Sequence, residues 1–188
     1  MLPSESNNNH ILQLHTFAKE EISVRSCCCR RRENRRKHRV ISLASVSQNL
    51  AVTWQRKLLW ALDDKPYSPD SEPEQRKILV LINPFGGAGA ATAAWNLARP
   101  FLEKAHIQLT VKLTEHRNHA YEIVHNDLMA KEFDSIVTVS GDGLIHEIVN
   151  GLLTRDDWKD FKDTITLGCI PGGTGNGLVK SLLVRDGE

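Results

Sequence analysis

Four short loops of this chain carry the residues whose types and spacing could do chemistry. They lie at 83–89, 114–119, 140–143 and 171–177. The first, third and fourth are rich in glycine, and the second combines charged and polar side chains. Glycine lets a backbone approach a ligand closely, and the N–H groups at the start of a helix favour anions. Together the loops therefore suggest a site for an anionic ligand.

The elements around these loops alternate between strand and helix from residue 76 onward. Continuous apolar runs predict strands, and amphipathic stretches predict helices, one of them interrupted or kinked at Pro100. The predicted strands are 77–82, 107–113, 135–139 and 165–170, and the predicted helices are 90–105, 118–131, 144–153 and 176–184. This order predicts an α/β fold, a three-layer parallel sheet with right-handed crossovers. Ligands of such sheets bind at the carboxyl ends of the strands, where all four loops lie, so the predicted ligand is a nucleotide phosphate.

No single loop identifies the nucleotide. Gly87 and Gly89 begin a dinucleotide-binding pattern, but Thr92 occupies the place of its third glycine. A Walker A loop is excluded because no Gly-Lys-Ser/Thr follows the glycines. The combination of loops is more specific than any one of them.

Asp142, between Gly141 and Gly143, is the acidic residue of the third loop. A carboxylate between two glycines is expected to be exposed on a turn. From the residues alone it could form the turn or cap a helix.

Three motifs of the chain together resemble the catalytic domain of diacylglycerol kinases. The motifs are Ile82-Asn83-Pro84-x-Gly86-Gly87-x-Gly89, Ser140-Gly141-Asp142-Gly143-Leu144-Ile145-His146-Glu147-Ile148-Val149-Asn150-Gly151 and Pro171-x-Gly173-Thr174-Gly175-Asn176. The third-loop string, together with Leu113-Thr114-Glu115-x-Arg117-Asn118-His119-Ala120, is similar to sphingosine kinases in particular. The resemblance extends over about residues 77–183.

The resemblance implies a lipid kinase that transfers the γ-phosphate of ATP, with Mg²⁺ carried by the nucleotide, to the primary hydroxyl of a sphingoid base. It makes Asp142 the general base, because an alcohol needs an acceptor for its proton during phosphoryl transfer. The implied substrate contacts are Ser140, Gly141, Asp142 and Gly143. The implied nucleotide contacts are Asn83, Pro84, Phe85, Gly86, Gly87, Thr114, Glu115, His116, Arg117, Asn118, Ser140, Gly141, Asp142, Glu147, Gly173, Thr174 and Gly175. No metal ligands are expected in the chain itself.

Several positions depart from the family pattern. Ala90 and Ala91 stand where relatives often carry Lys, and Phe85 stands where some have Arg, so possible phosphate contacts are absent. Gly177 replaces the usual Ala, which should loosen the start of a helix. The family's C-terminal β-rich domain, which supplies the other wall of the ATP cleft, is also absent from this sequence. We therefore expect an incomplete ATP-binding half, 76–188.

The sequence before this domain is basic. Residues 1–62 hold 11 Lys and Arg against 4 Asp and Glu, whereas 63–188 hold 13 against 19. We predict a polar start with a basic, partly disordered arm over 1–39. A strand over 40–47 and a helix through Leu62, capped by Ser47 or Asn49, complete the segment 40–62. This strand and helix resemble the end of a pleckstrin-homology-like domain, or the helix could pack on the catalytic domain. A linker rich in proline and acidic residues follows at 63–75.

The basic arm allows more than one interpretation. It could be a solvated tail, or it could bind an anionic membrane surface, with the adjoining Cys27, Cys28 and Cys29 as lipidation sites. Nucleic-acid binding is disfavoured because no aromatic residues lie among the charges. Neither a secretory signal nor a membrane-spanning stretch is apparent, so the expected location is cytoplasmic and peripheral on membranes.

Rival functions remain open. A diacylglycerol or ceramide kinase would share all these motifs, since the residues that select the lipid lie in the missing domain. A non-catalytic nucleotide-binding or interaction module is the rival from another class. A dehydrogenase-type domain explains neither 140–143 nor 171–177.

Overall fold

In a computed structural model of the chain, residues 10–26, 29–129 and 132–185 are described. The strands are β1 His10–Ser26, β2 Cys29–Ser45, β3 Lys77–Ile82, β4 Gln108–Leu113, β5 Ser135–Ser140 and β6 Thr166–Pro171. The α-helices are α1 Gln48–Leu62, α2 Ala90–Lys104, α3 His119–Glu122, α4 Asp142–Leu153, α5 Trp158–Lys162 and α6 Gly177–Arg185. The chain divides into two compact units between Glu74 and Gln75. Among the described helices, none is both long and apolar enough to cross a membrane.

The second unit is built on a four-stranded parallel sheet in the order β4-β3-β5-β6. The register aligns the middle of the sheet, because Val80 of β3 pairs with Val111 of β4 on one side and with Val137 of β5 on the other. All four strands therefore end at the same edge, as the alternation of strands and helices predicted. The α/β fold class is confirmed.

Helices cover both faces of this sheet. Leu79 and Leu81 of β3 are buried in a cluster with residues of α3, α4 and α5. Ile78, Val80 and Ile82 are buried in a second cluster, which includes Ala91 and Trp95 of α2. Alternate residues of one strand thus supply the two cores, because successive side chains of a strand point to opposite faces. This accounts for the continuous apolar run of β3 and for the three layers.

The helix predicted over 118–131 is wrong in extent. Helix α3 has four residues and continues as a π-helix over Ile123–Asp127. Arg155 explains the early end, because its Nη1 donates to the carbonyl oxygens of Val124 at 2.8 Å and His125 at 2.7 Å. Those oxygens are thereby satisfied by a guanidinium and not by a further helical turn. Helix α2, by contrast, passes through Pro100 without interruption.

The first unit begins with a long antiparallel hairpin. Strand β1 pairs with β2 from His10 opposite Ser45 to Ser26 opposite Cys29. The described residues of the expected arm therefore lie in paired strands, and the strand expected at 40–47 begins at Cys29. The amino-acid composition predicted a partly disordered arm, whereas strand formation depends on pairing with a second segment more than on the local preference of charged residues. The prediction for 1–9 and for Cys27 and Cys28 falls outside the described residues.

Helix α1 and the segment after it belong to the same unit. Ser47 caps α1 by accepting a hydrogen bond from Leu50 N at 3.3 Å, as its position in the sequence predicted. The predicted linker packs on this helix, because Arg56 Nη2 donates to the carbonyl oxygens of Pro69 at 3.1 Å and Ser71 at 2.7 Å. The apolar face of α1, which includes Trp54, borders an open groove of about 410 Å³ beside the hairpin.

Candidate functional site

The loop between β3 and α2 is folded by its own first side chain. Asn83 Oδ1 accepts a hydrogen bond from Phe85 N at 3.0 Å, and the Asn83 carbonyl accepts one from Gly86 N at 3.2 Å. Gly86–Gly89 then forms a single 3₁₀ turn before α2. Phe85, which departs from the expected family pattern, is 77% exposed and faces solvent. The Asn83 side chain therefore shapes the loop through its Oδ1.

The three glycine-rich loops pack backbone to backbone. A β-carbon on Gly87 would lie 2.6 Å from the carbonyl oxygen of Gly172 and 3.1 Å from the Gly173 backbone. A β-carbon on Gly173 would collide with the backbone of Gly141, and one on Gly141 would collide with the carbonyl oxygen of Gly175. Gly87, Gly141 and Gly173 are therefore required for contact between the loops. They build the edge of the site, whatever they contribute to ligand binding.

Open space is found at two other glycines. A β-carbon on Gly89 or on Gly143 would meet no atom within 4 Å. Gly143 lies in the first turn of α4, where helix N–H groups face outward. Among the glycines of these loops, Gly143 is thus one whose missing side chain leaves room for a ligand.

The Asp142 carboxylate joins two of the loops. Its Oδ2 accepts a hydrogen bond from Gly177 N at 2.8 Å, and its Oδ1 accepts one from Leu178 N at 3.1 Å. Its own N–H donates to the Gly175 carbonyl at 3.2 Å. The Gly177 and Leu178 N–H donors hold the pKa of the Asp142 carboxyl below its usual range, and Lys180 adds a smaller effect in the same direction. Asp142 is thus an exposed, ionised carboxylate that caps α6, and each oxygen keeps a further acceptor position.

The loop between β4 and α3 is anchored at its first residue. Thr114 is 4% exposed, and its N–H donates to the Ile82 carbonyl at 2.8 Å. Glu115 N donates to His119 Nδ1 at 3.0 Å, which fixes that nitrogen as an acceptor. His116 stacks on His119, with the ring centres 4.7 Å apart. Asn118 adopts the left-handed conformation at φ 66°, which asparagine tolerates better than most residues.

Glu147 carries a buried oxygen without a partner. Its Oε2 is buried and has no hydrogen-bond partner among the described residues. A carboxylate oxygen only accepts hydrogen bonds, so a donor is missing at this point of α4. The sequence singled out Glu147 only through the family resemblance, and the structure adds an unsatisfied acceptor at that residue.

Many of the predicted ligand contacts are exposed to solvent. They are Phe85, Glu115, His116, Arg117, Asn118, Asp142, Gly143, Thr174 and Gly175. A groove of about 470 Å³ lies elsewhere, lined by α2 residues such as Trp95 and by the β4 residues Leu109 and Val111. It contains none of the predicted site residues. Loop geometry, and not the size of a cavity, therefore marks the candidate site.

The described residues contain no group of three or more His, Cys, Asp or Glu side chains that could hold a metal ion.

Asn176 is the residue of this site that sequence reasoning left without a role. Its Oδ1 accepts from Gly173 N at 3.3 Å, and its Nδ2 donates to the Gly173 carbonyl at 2.7 Å. The signal was present, because an asparagine directly before a helix commonly forms local hydrogen bonds. What the sequence could not indicate is that these bonds run backward into the loop.

Comparison with known proteins gives one family. The sequence profile of the diacylglycerol kinase catalytic domain matches residues 77–188. Sphingosine kinase 1 of Arabidopsis thaliana is 46% identical over 109 residues, which is 57% of this chain and 22% of that protein. Sphingosine kinase 1 of Homo sapiens is 43% identical over 111 residues, which is 58% of this chain and 28% of that protein.

A solved structure of a diacylglycerol kinase from Bacillus anthracis is 29% identical to this chain, with a TM-score of 0.46 over 57% of this chain and 34% of that one. The matched region spans about a quarter of the length of the two curated relatives. The family match at residues 77–188 contains all four candidate loops.

Proposed function

Because this chain belongs to the diacylglycerol kinase catalytic domain family, we propose that it provides the nucleotide-binding part of a lipid kinase. The proposed reaction transfers the γ-phosphate of ATP to the primary hydroxyl of a sphingoid base. The observation that carries the proposal is the junction at Asp142, which joins the loops after β5 and β6. The Asp142 carboxylate accepts hydrogen bonds from Gly177 N and Leu178 N, and Asp142 N donates to the Gly175 carbonyl. The identity of 46% to a sphingosine kinase over 109 residues favours the sphingoid base.

The nucleotide would lie across the carboxyl edge of the sheet. The open space at Gly143 and the exposed first turn of α4 suit phosphate groups. The unpaired Oε2 of Glu147 suits a hydroxyl donor, such as one of the ribose. The remaining proposed contacts are Asn83, Pro84, Phe85, Gly86, Gly87, Thr114, Glu115, His116, Arg117, Asn118, Ser140, Gly141, Asp142, Gly173, Thr174 and Gly175.

Asp142 would orient the lipid hydroxyl and accept its proton. The lowered pKa of Asp142 keeps the carboxylate ionised and therefore ready to accept a hydrogen bond at neutral pH. A weak base is adequate, because catalysis of phosphoryl transfer depends mainly on positioning and on charge stabilisation. Mg²⁺ bound with the nucleotide would neutralise charge on the phosphate oxygens. Ser140, Gly141 and Gly143 surround this position and are the proposed substrate contacts.

Titration calorimetry tests the nucleotide. We expect the chain to bind Mg-ATP weakly, and Gly143→Val to lower the affinity by about 10-fold, because its β-carbon would enter open space that the ligand is proposed to occupy. Thr164→Ala, which removes a hydrogen bond to Asp160 in the turn after α5, is the control and should bind normally. Tighter binding of NAD than of ATP would contradict the kinase proposal.

Diacylglycerol is the second candidate lipid, because the family takes its name from kinases of that substrate. Ceramide would be phosphorylated by the same transfer of the γ-phosphate to a primary hydroxyl. Competition between sphingosine, diacylglycerol and ceramide in a phosphate-transfer assay distinguishes the three.

We further propose that the basic hairpin binds anionic membranes peripherally. By sequence, β2 holds Arg30, Arg31, Arg32, Arg35 and Arg36, and each basic residue near an anionic surface contributes on the order of 1 kcal/mol. Sedimentation with vesicles should show binding that requires anionic lipid and weakens with salt. Replacing these five arginines by glutamine should abolish it, and salt-insensitive binding would contradict the proposal.

A further inference from the structure

The start of helix α6 is not capped by the residue that directly precedes it. Asn176 immediately precedes the helix, and its carbonyl accepts a hydrogen bond from Lys180 N at 3.1 Å. Asparagine at such a position usually caps its own helix by accepting from the second or third N–H group. Here its amide turns back to Gly173, through hydrogen bonds of 3.3 and 2.7 Å. The second N–H group of α6, on Leu178, is therefore left by Asn176, and the first, on Gly177, is one that a local cap does not take. Both groups remain for a partner from elsewhere in the chain.

That partner is Asp142, which lies 35 residues before Gly177. Its two oxygens take the two N–H groups, one each, and its own N–H holds the Gly175 carbonyl. Three backbone groups of a single turn thus fix both the main chain and the side chain of Asp142. The turn keeps this shape because Asn176 closes it onto Gly173, whose backbone packs directly against Gly141.

We propose that Asn176 is a positioning residue for Asp142: by turning its amide to Gly173 and leaving the start of α6 uncapped, it makes α6 hold the Asp142 carboxylate in one orientation. This inference rests on the proposed function, in which that carboxylate orients the substrate hydroxyl. With one hydrogen bond on each oxygen, the carboxylate retains an acceptor position for the substrate.

The local sequence agrees with this role. Glycine at 177 offers no side chain that could compete for the N–H groups at the start of α6. Ser181, one turn later, donates its hydroxyl to the Gly177 carbonyl at 2.9 Å and so does not reach these groups. The charge of Lys180 also lowers the pKa of Asp142 and so favours the ionised carboxylate. Among the described residues, Asn176 is the side chain best placed to compete with Asp142 for α6, and it is engaged elsewhere.

The test is to give α6 a cap of its own. Serine is a strong capping residue but cannot make both bonds to Gly173, so Asn176→Ser should cap α6 locally and release Asp142. In the full 188-residue chain, the Asp142 carboxyl is titrated by carbon-13 NMR in the wild type, in Asn176→Ser, in Asn176→Ala and in the control Ser181→Ala. We expect the pKa of Asp142 to rise towards its ordinary value in both Asn176 variants and to stay low in Ser181→Ala. Thermal unfolding should be less affected by Asn176→Ser than by Asn176→Ala, because serine replaces the lost cap.

An unchanged Asp142 titration in Asn176→Ser would overturn the inference. So would a rise of equal size in Ser181→Ala, since a general loosening of α6 would then explain both. The result does not depend on nucleotide binding. A chain that fails to bind Mg-ATP but shows the expected titrations contradicts the proposed function and leaves the link between Asn176 and Asp142 in place.

Discussion

A β-carbon on Gly87 would lie 2.6 Å from the carbonyl oxygen of Gly172, so the loops after β3 and β6 meet without room for any side chain. Gly87 also has a φ of 56°, a conformation that side chains disfavour. The contact involves backbone atoms on both sides, so no rotamer change can relieve a substitution. The junction of the loops therefore depends on glycine at position 87 for two independent reasons.

Gly87→Ala should destabilise the second unit by about 2–4 kcal/mol, from overpacking together with the left-handed backbone. Gly143→Ala is the matched control, since it adds the same methyl group in open space. In the first turn of α4 it should leave stability unchanged or raise it by up to about 1 kcal/mol. Urea unfolding of the two variants measures the difference. Equal stability of the two would mean that the loops do not pack as described.

Arg155 lies outside the candidate site, but its side chain should contribute strongly to the stability of the fold. Its side chain is 13% exposed, donates to two carbonyl oxygens of the π-helix, and makes a bidentate pair with Asp157 at 2.7 and 2.8 Å. Arg155→Ala leaves those carbonyls without their donor and should cost about 2–3 kcal/mol. Arg155→Lys should restore little of this, because a single ammonium cannot reproduce the guanidinium fork.

The control is Lys162, whose pair with Asp163 is 3.6 Å long and exposed on both sides. Lys162→Ala should change the free energy of unfolding by less than about 0.5 kcal/mol. Chemical unfolding of the three variants in the same buffer checks the order. A loss in Lys162→Ala as large as that in Arg155→Ala would remove the special role of the guanidinium.

The sheet could be predicted because its signals are local. The run 78–82 is apolar throughout, and the structure buries all five of its residues in two cores. The hairpin could not be predicted in the same way, since its strands include charged segments that are held by pairing Thr16 with Arg39 and their neighbours. Pairing of this kind is a property of two segments, and neither one reveals it alone.

The candidate site was predictable as a set of loops but not as a set of contacts. Asp142 could be recognised as a turn residue or a cap from its glycine neighbours, and as a base through the family resemblance. Its actual donors are on Gly177 and Leu178, which only the fold brings to it. Likewise, the glycines suggested room for phosphate, whereas Gly141 and Gly173 are used to bring two loops into contact.

The Asp142 cap should give stability a specific pH dependence. Because the pKa of Asp142 is lower in the folded chain than in the unfolded one, its contribution is complete above the unfolded value of about 4. It is lost as the pH falls through the folded value, where the carboxylate is protonated and releases α6. The acid limb of a plot of melting temperature against pH should therefore be shallower in Asp142→Asn than in the wild type. Superimposable acid limbs would contradict the capping role.

Asp142 should also be decisive for phosphate transfer. The assay uses a chimaera in which residues 77–185 replace the matched segment of sphingosine kinase 1 from Arabidopsis thaliana, so that the remainder of that relative is present. Asp142→Asn keeps the size of the side chain and one acceptor oxygen, but it removes the group that accepts the proton of the hydroxyl. General-base catalysis is worth about 10²–10⁴-fold, so turnover of sphingosine should fall by about that factor. The affinity for Mg-ATP should change little, and Thr164→Ala should retain normal turnover. Transfer of labelled phosphate from ATP measures the rates, and near-normal turnover in Asp142→Asn would leave Asp142 as a structural cap without a part in the chemistry.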